Sequence, residues 1–195
     1  MRALQLDQLQ YVANFRGIMY EAPEELIDGD LRTVVTSISK AFAIDKEAAF
    51  ATFADPQEHV KYFEIIKSTT PLIPMEGVLE ANQYYVFEHV QEERLPPRMM
   101  LIRYTLNPPN SILKEAIADP FNELDPLADK KKGRVEIDFR DLGRNSTEIT
   151  CRSTFVTNNG PVFVRGFIDH VWLNFYERLM VETGEISKDD MLTGV

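Results

Sequence analysis

The chain has 195 residues, 44% of them apolar, and carries 31 acidic against 21 basic side chains for a formal charge of −10. That length suits one domain with attachments and a sizeable core. The acidic balance argues against nucleic acid and anionic membrane surfaces as partners, and no stretch reaches the ~18 uninterrupted apolar residues of a membrane span.

Residues 1–30 form a preamble. Leu4, Leu6, Leu9, Val12 and Phe15 are spaced irregularly for a helix, which leaves a short one open. Pro23 and the run Asp28-Gly29-Asp30 break the chain before the first clear strand. This start lacks the apolar run of a signal peptide. Cys151, the single cysteine, excludes an intrachain disulfide, so a reducing, cytoplasmic location is expected.

Over residues 33–44 the row Val34, Thr36, Ile38, Lys40, Phe42 and Ile44 is apolar except at Lys40, the alternation of a half-buried strand. Asp45 is placed to cap a helix over 46–53, whose apolar face is Ala49, Phe50 and Phe53. Asp55-Pro56 stops it and opens a second short helix, because proline costs nothing in a first turn. Val60, Phe63 and Ile66 are the expected buried side of that helix.

Strands follow. Residues 77–90 hold one around Tyr84, Val86 and Phe87. Residues 98–106 set Met100, Ile102, Tyr104 and Leu106 against Met99, Leu101, Arg103 and Thr105. Residues 107–132 read as a long irregular loop, in which 111–118 form one or two helical turns capped by Asn110. A hairpin closes the series. Val135, Ile137 and Phe139 alternate with Glu136, Asp138 and Arg140, and after a turn at 143–146 the row Ile149, Cys151, Ser153 and Phe155 returns.

Residues 161–183 predict one long helix, opened by Pro161 and stopped by Gly184. Val164, Phe167, Ile168, Val171, Trp172, Phe175 and Leu179 share a broad face, while Arg165, Gly166, Asp169, Leu173 and Glu177 lie toward the other.

A strand, two short helices, several strands and one long helix, in that order, resemble the START-like (SRPBCC) superfamily, which includes birch pollen allergen-like and polyketide cyclase-like proteins. Residues 43–50 look like the passage from its first strand into its first helix. Residues 53–58, with Asp55-Pro56, look like the junction of its two short helices. Residues 134–156 and the helix after them look like its closing hairpin and grip helix. The resemblance implies an α+β helix-grip fold, a curved antiparallel sheet wrapped around the C-terminal helix, with a cavity between them. It implies ligands such as lipids, polyketides or aromatic metabolites and no universal catalytic motif. The resembling domain runs over 33–186, with an extension at 1–32, an insertion at 107–132 and a tail at 187–195.

The cavity candidates are Tyr84, Arg103, Tyr104 and Phe139 on strands and Phe167, His170, Val171 and Asn174 on the helix. A tyrosine hydroxyl or an arginine there would orient a carbonyl or carboxylate, and His170 is the candidate acid or base. His59, His89 and His170 show no metal-ligand spacing, so no metal and no cofactor is called for. Cys151 reads as a small buried hydrophobe, and Lys130-Lys131-Lys132 as a solvated turn. Three readings stand: a binder of an apolar small molecule, a cyclase- or dehydratase-like enzyme acting on one, and a partner-binding module, such as a homodimer, built on residues 1–32 or the long loop.

Overall fold

The computed structural model describes residues 6–29, 31–63, 65–72, 82–91, 97–118, 133–157 and 161–193, with the backbone alone at 6–7, 22–25, 98, 118, 157 and 161–169. The elements in chain order are α1 (Leu6–Phe15), β1 (Met19–Asp28), β2 (Leu31–Phe42), α2 (Lys46–Ala54), α3 (Pro56–Tyr62), β3 (Ile66–Leu72), β4 (Gln83–Val90), β5 (Arg98–Asn107), β6 (Ser111–Ala118), β7 (Gly133–Gly143), β8 (Ser146–Thr157) and α4 (Pro161–Glu182), with a 3-10 turn at Lys188–Asp190. The strands form one antiparallel sheet ordered β1-β2-β8-β7-β6-β5-β4-β3.

The two short helices start as their sequences dictate. Asp45 Oδ1 accepts the Ala48 N–H at 2.7 Å, and Asp55 Oδ1 accepts that of Gln57 at 2.8 Å. Asp55 also ends α2, donating its own N–H to Ala51 O at 3.1 Å, so one residue closes one helix and opens the next. The buried side of α3 is His59 and Tyr62, followed by Phe63, whereas Val60 is 38% exposed and faces away from the core.

β7 and β8 turn through Arg144 and Asn145, with φ of 54° and 56°, a two-residue connection in the left-handed region. Residues 111–118, expected as helical turns, are a strand: β6 pairs with β5 on one side and β7 on the other. Ile112, Lys114 and Ala116 alternate with Leu113, Glu115 and Ile117, and the ladder partners on both edges override any local helical preference. β3, at the sheet's other end from β1, had no counterpart in the sequence expectations.

Within 1–32, the described residues from Leu6 onward pack on the rest of the fold. β1 pairs with β2 along its length, and α1 packs on α4 through the buried Leu9, Val12 and Ala13. The tail is likewise held, with Thr193 buried. Leu173 and Glu177, expected toward the face of α4 away from its broad apolar one, are 0% exposed. α4 is covered on both sides, by the sheet through Trp172, Tyr176 and Leu179 and by α1 and the tail behind it.

An aromatic chain joins the layers. Phe53 packs on Phe139 of β7 and on Phe175 of α4, with ring centroids 5.4 and 4.8 Å away, and Phe63 packs on Phe175 and Trp172 at 4.5 and 5.2 Å. Such contacts add roughly 0.5–1.5 kcal/mol each beyond area burial. No helix among the described residues is long and apolar enough to cross a membrane.

Candidate functional site

The inward rows of the sheet are not uniformly filled. Ile112, Ile137, Phe139, Ile149 and Cys151 are fully buried under α2, α3 and α4. Ala116, Val135 and Phe155 on the same strands, and Met100 on β5, are only half-buried, as is Val171 on α4. An apolar patch on the sheet's inner face is thus left partly uncovered.

At its border lies a buried polar cluster contributed by four elements. Tyr84, Tyr104 and Lys114 are direct cross-strand neighbours on β4, β5 and β6, and Glu88 lies on the same face of β4. His59 closes the cluster from α3. His59 Nε2 is 2.9 Å from the Phe53 carbonyl, which only accepts, so this nitrogen carries the ring proton and donates. Nδ1 is then an acceptor. The Tyr104 hydroxyl lies 2.9 Å from it and 2.7 Å from Glu88 Oε1. One hydroxyl proton faces two acceptors, and the ionised carboxylate is the stronger.

Lys114 completes the arrangement. Its Nζ is 3.0 Å from Glu88 Oε1 and 3.3 Å from His59 Nδ1, and it lies 5.0 Å over the Tyr104 ring and 5.6 Å over that of Phe63. The Tyr84 ring stacks on Tyr104 at 4.8 Å, and its hydroxyl donates to Ala54 O.

The electrostatics follow from this crowding. Burial, and then the Lys114 charge, hold the His59 imidazole below its ordinary range despite Glu88, so the ring is neutral at pH 7. Burial alone would push the Glu88 carboxyl up, but Lys114, His59 and Tyr104 together outweigh it and hold it well below the usual carboxylate range. Burial and the Glu88 charge push the Tyr104 hydroxyl far up. At neutral pH the cluster is therefore one ammonium, one carboxylate, a neutral imidazole and a neutral phenol, with no net charge.

Of the residues expected in the cavity, Tyr84 and Tyr104 fall in this cluster. Arg103 lies on the opposite face of β5, where Glu115 accepts from its Nη2 at 2.7 Å and its Nε at 3.2 Å. It is turned away from Tyr104 because adjacent strand residues alternate. Phe139 sits in the filled part of the core between Phe50 and Phe53. Val171 packs at the edge of the core. Asn174 Nδ2 donates to Thr193 Oγ1 at 3.2 Å, so it faces the tail, and His170, one turn earlier and buried, shares that side of α4. The side chain of Phe167 lies outside the described residues.

His59, Glu88 and Lys114 are what the sequence reading missed. The available signal was a charge interrupting an otherwise apolar row: Glu88 after Tyr84 and Val86, and Lys114 between Ile112 and Ala116. Among the described residues no group of three His, Cys, Asp or Glu is arranged to hold a metal ion.

No family model matches the chain, and no curated protein matches it in sequence. Solved structures do share its fold. The Zhui aromatase/cyclase from Streptomyces sp. R1128 is 13% identical, over 77% of this chain and 96% of that one, with a TM-score of 0.55. A START superfamily protein from Mycobacterium smegmatis is 13% identical over 77% and 97%, with a TM-score of 0.58. Major latex-like protein 151 from Panax ginseng is 9% identical over 77% and 97%, at 0.56. The chain therefore has the START-like, helix-grip fold, an α+β arrangement of a large antiparallel sheet and a long C-terminal helix.

Proposed function

We propose that this protein binds an apolar small molecule, such as a lipid, polyketide or aromatic metabolite, between the inner face of the sheet and α4. The observation that carries the reading is the half-buried apolar patch of Met100, Ala116, Val135, Phe155 and Val171 beside rows that are otherwise filled. Covering it with a ligand would gain roughly 25 cal/mol per Å² of apolar surface removed from water. The ginseng and Streptomyces proteins lend the fold as context, not their ligands or reactions. Nucleic acid has no place in the reading, given the net charge of −10.

A second reading, acid–base chemistry on the same ligand, is favoured by the juxtaposition of His59, Tyr104, Glu88 and Lys114 at the border of the patch. It requires a bound substrate whose reacting atom reaches Lys114 or the Tyr104–Glu88 pair.

Native mass spectrometry of protein purified without detergent, followed by denaturing extraction, tests the binding reading. The expected result is a copurifying lipid or aromatic species, or a rise in melting temperature with members of such a panel. An empty protein that no member of the panel stabilises, and that does not take up the neutral dye Nile red, would sink it. The same spectrum reads whether the chain is a homodimer.

A further inference from the structure

The charge balance of the buried cluster specifies what kind of polar group the site accepts. Lys114 and Glu88 form an ion pair at 3.0 Å, with side chains only 11% and 7% exposed. Both border the half-buried patch, because Glu88 is the cross-strand partner of Met100 and Lys114 that of Val135. Cross-strand partners hold their Cβ atoms roughly 4.5–5.5 Å apart, so a ligand covering Met100 and Val135 lies next to the pair.

Lys114 has three N–H donors. One goes to Glu88 and one to His59, and the described residues supply no acceptor for the third. The positive charge, however, is already matched by Glu88 at hydrogen-bond distance. Lys40, the other lysine on the inward rows among the described residues, is held by Glu185 at 3.2 Å and by Arg16 O at 3.2 Å. A carboxylate on the ligand would bring a second negative charge beside Glu88, and among the described residues the cluster holds no second cation to meet it, in a site where burial weakens solvent screening. A carbonyl or hydroxyl oxygen would accept the spare N–H without that cost.

We propose, on the basis of the binding reading above, that the site selects uncharged ligands over carboxylates. Lys114 donates to a neutral oxygen of the ligand, and Glu88 acts as the element that rejects anions.

The test is displacement of Nile red from the full-length chain by 1-dodecanol and by dodecanoic acid at about pH 8, where the acid is ionised. The decisive quantity is the ratio of the two displacement constants compared between variants, since the differing hydration of acid and alcohol then cancels. Glu88→Gln keeps the shape and leaves Lys114 unmatched, so it should shift the ratio toward the acid by roughly tenfold or more. Lys114→Gln leaves Glu88 unmatched and should shift the ratio the other way. Each variant is first checked for folding by near-UV circular dichroism, and either one alone is decisive. A ratio that stays put, or moves in the opposite direction, in a folded variant overturns the proposal while leaving the binding reading intact. A wild-type chain that is empty, takes up no Nile red and is stabilised by no member of the panel overturns both.

Discussion

Arg16 Nε donates to Glu177 Oε1 at 2.7 Å, which joins the residue after α1 to the C-terminal part of α4 through an ion pair whose side chains are 7% and 0% exposed. Glu177 also accepts the N–H groups of Leu192 and Thr193 and the Thr193 hydroxyl, while Arg16 donates to Asp190 O. Both ends of the described chain are thus fastened to one carboxylate on the side of α4 that faces away from the sheet.

Glu177→Ala should destabilise the protein by about 3–5 kcal/mol, because Arg16 and the tail donors lose a buried acceptor. The double variant Arg16→Met, Glu177→Leu should cost clearly less than the sum of its parts, since it removes both charges together. Urea unfolding of the singles and the double measures this. An Ala variant within about 0.5 kcal/mol of wild type would show that the pair carries no weight.

Stability should fall as pH is lowered, in two stages. His59 has its folded pKa below the ordinary value of 6.5, so below about 6.5 the unfolded chain takes up a proton that the folded chain refuses, and stability drops. Glu88 also has a depressed folded pKa, against an ordinary value of 4.5; its contribution is present above that value and is lost as pH falls further. Unfolding free energies from pH 8 down to about 4 give the profile. His59→Gln should remove the stage that begins near 6.5, and a profile flat through that region in the wild type would contradict the assignment of a neutral buried ring.

Cys151 is 1% exposed on β8, and burial pushes its thiol up to about 12 despite the Tyr176 hydroxyl 3.4 Å away. A thiol that is both covered and protonated is a poor nucleophile. Labelling by a disulfide reagent at neutral pH should therefore be slow and should track unfolding across a urea series. Rapid labelling of the native protein would show that β8 opens locally.

Arg144 and Asn145 occupy the two left-handed positions of the β7–β8 turn, where asparagine followed by glycine is the preferred pair. Asn145→Gly should stabilise the protein by a few tenths to about 1 kcal/mol, as relief of the left-handed penalty exceeds the added unfolded-state entropy. Thermal unfolding reads the sign, and a lower melting temperature would refute the turn assignment.

Much of the architecture was legible in local pattern. Asp45 and Asp55-Pro56 marked two helix starts, the alternations in 98–106, 134–142 and 147–156 marked strands, and Pro161 and Gly184 bracketed α4. Each of these signals is complete within a few residues. The polar cluster was not, because its members come from α3, β4, β5 and β6 and no short motif links them. Tyr84, Tyr104 and Arg103 were picked out by residue type; Arg103 stands in the opposite row of β5 from Tyr104, and only the ladder to β6 showed which of the two rows faces Lys114 and which faces Glu115.

The sequence by itself determined the order of most elements, the caps and the apolar rows, since these depend on side-chain periodicity and on backbone preferences at single positions. Tertiary structure alone decided that 111–118 would be a strand and that the back of α4 would be buried. A segment such as Ser-Ile-Leu-Lys-Glu-Ala-Ile-Ala takes its state from the ladders offered by β5 and β7. Leu173 and Glu177 take their burial from α1 and from the tail, which meet α4 from opposite ends of the chain. The same long-range closure turned Lys114 and Glu88, two charges set among apolar neighbours, into one neutral pair at the edge of the site.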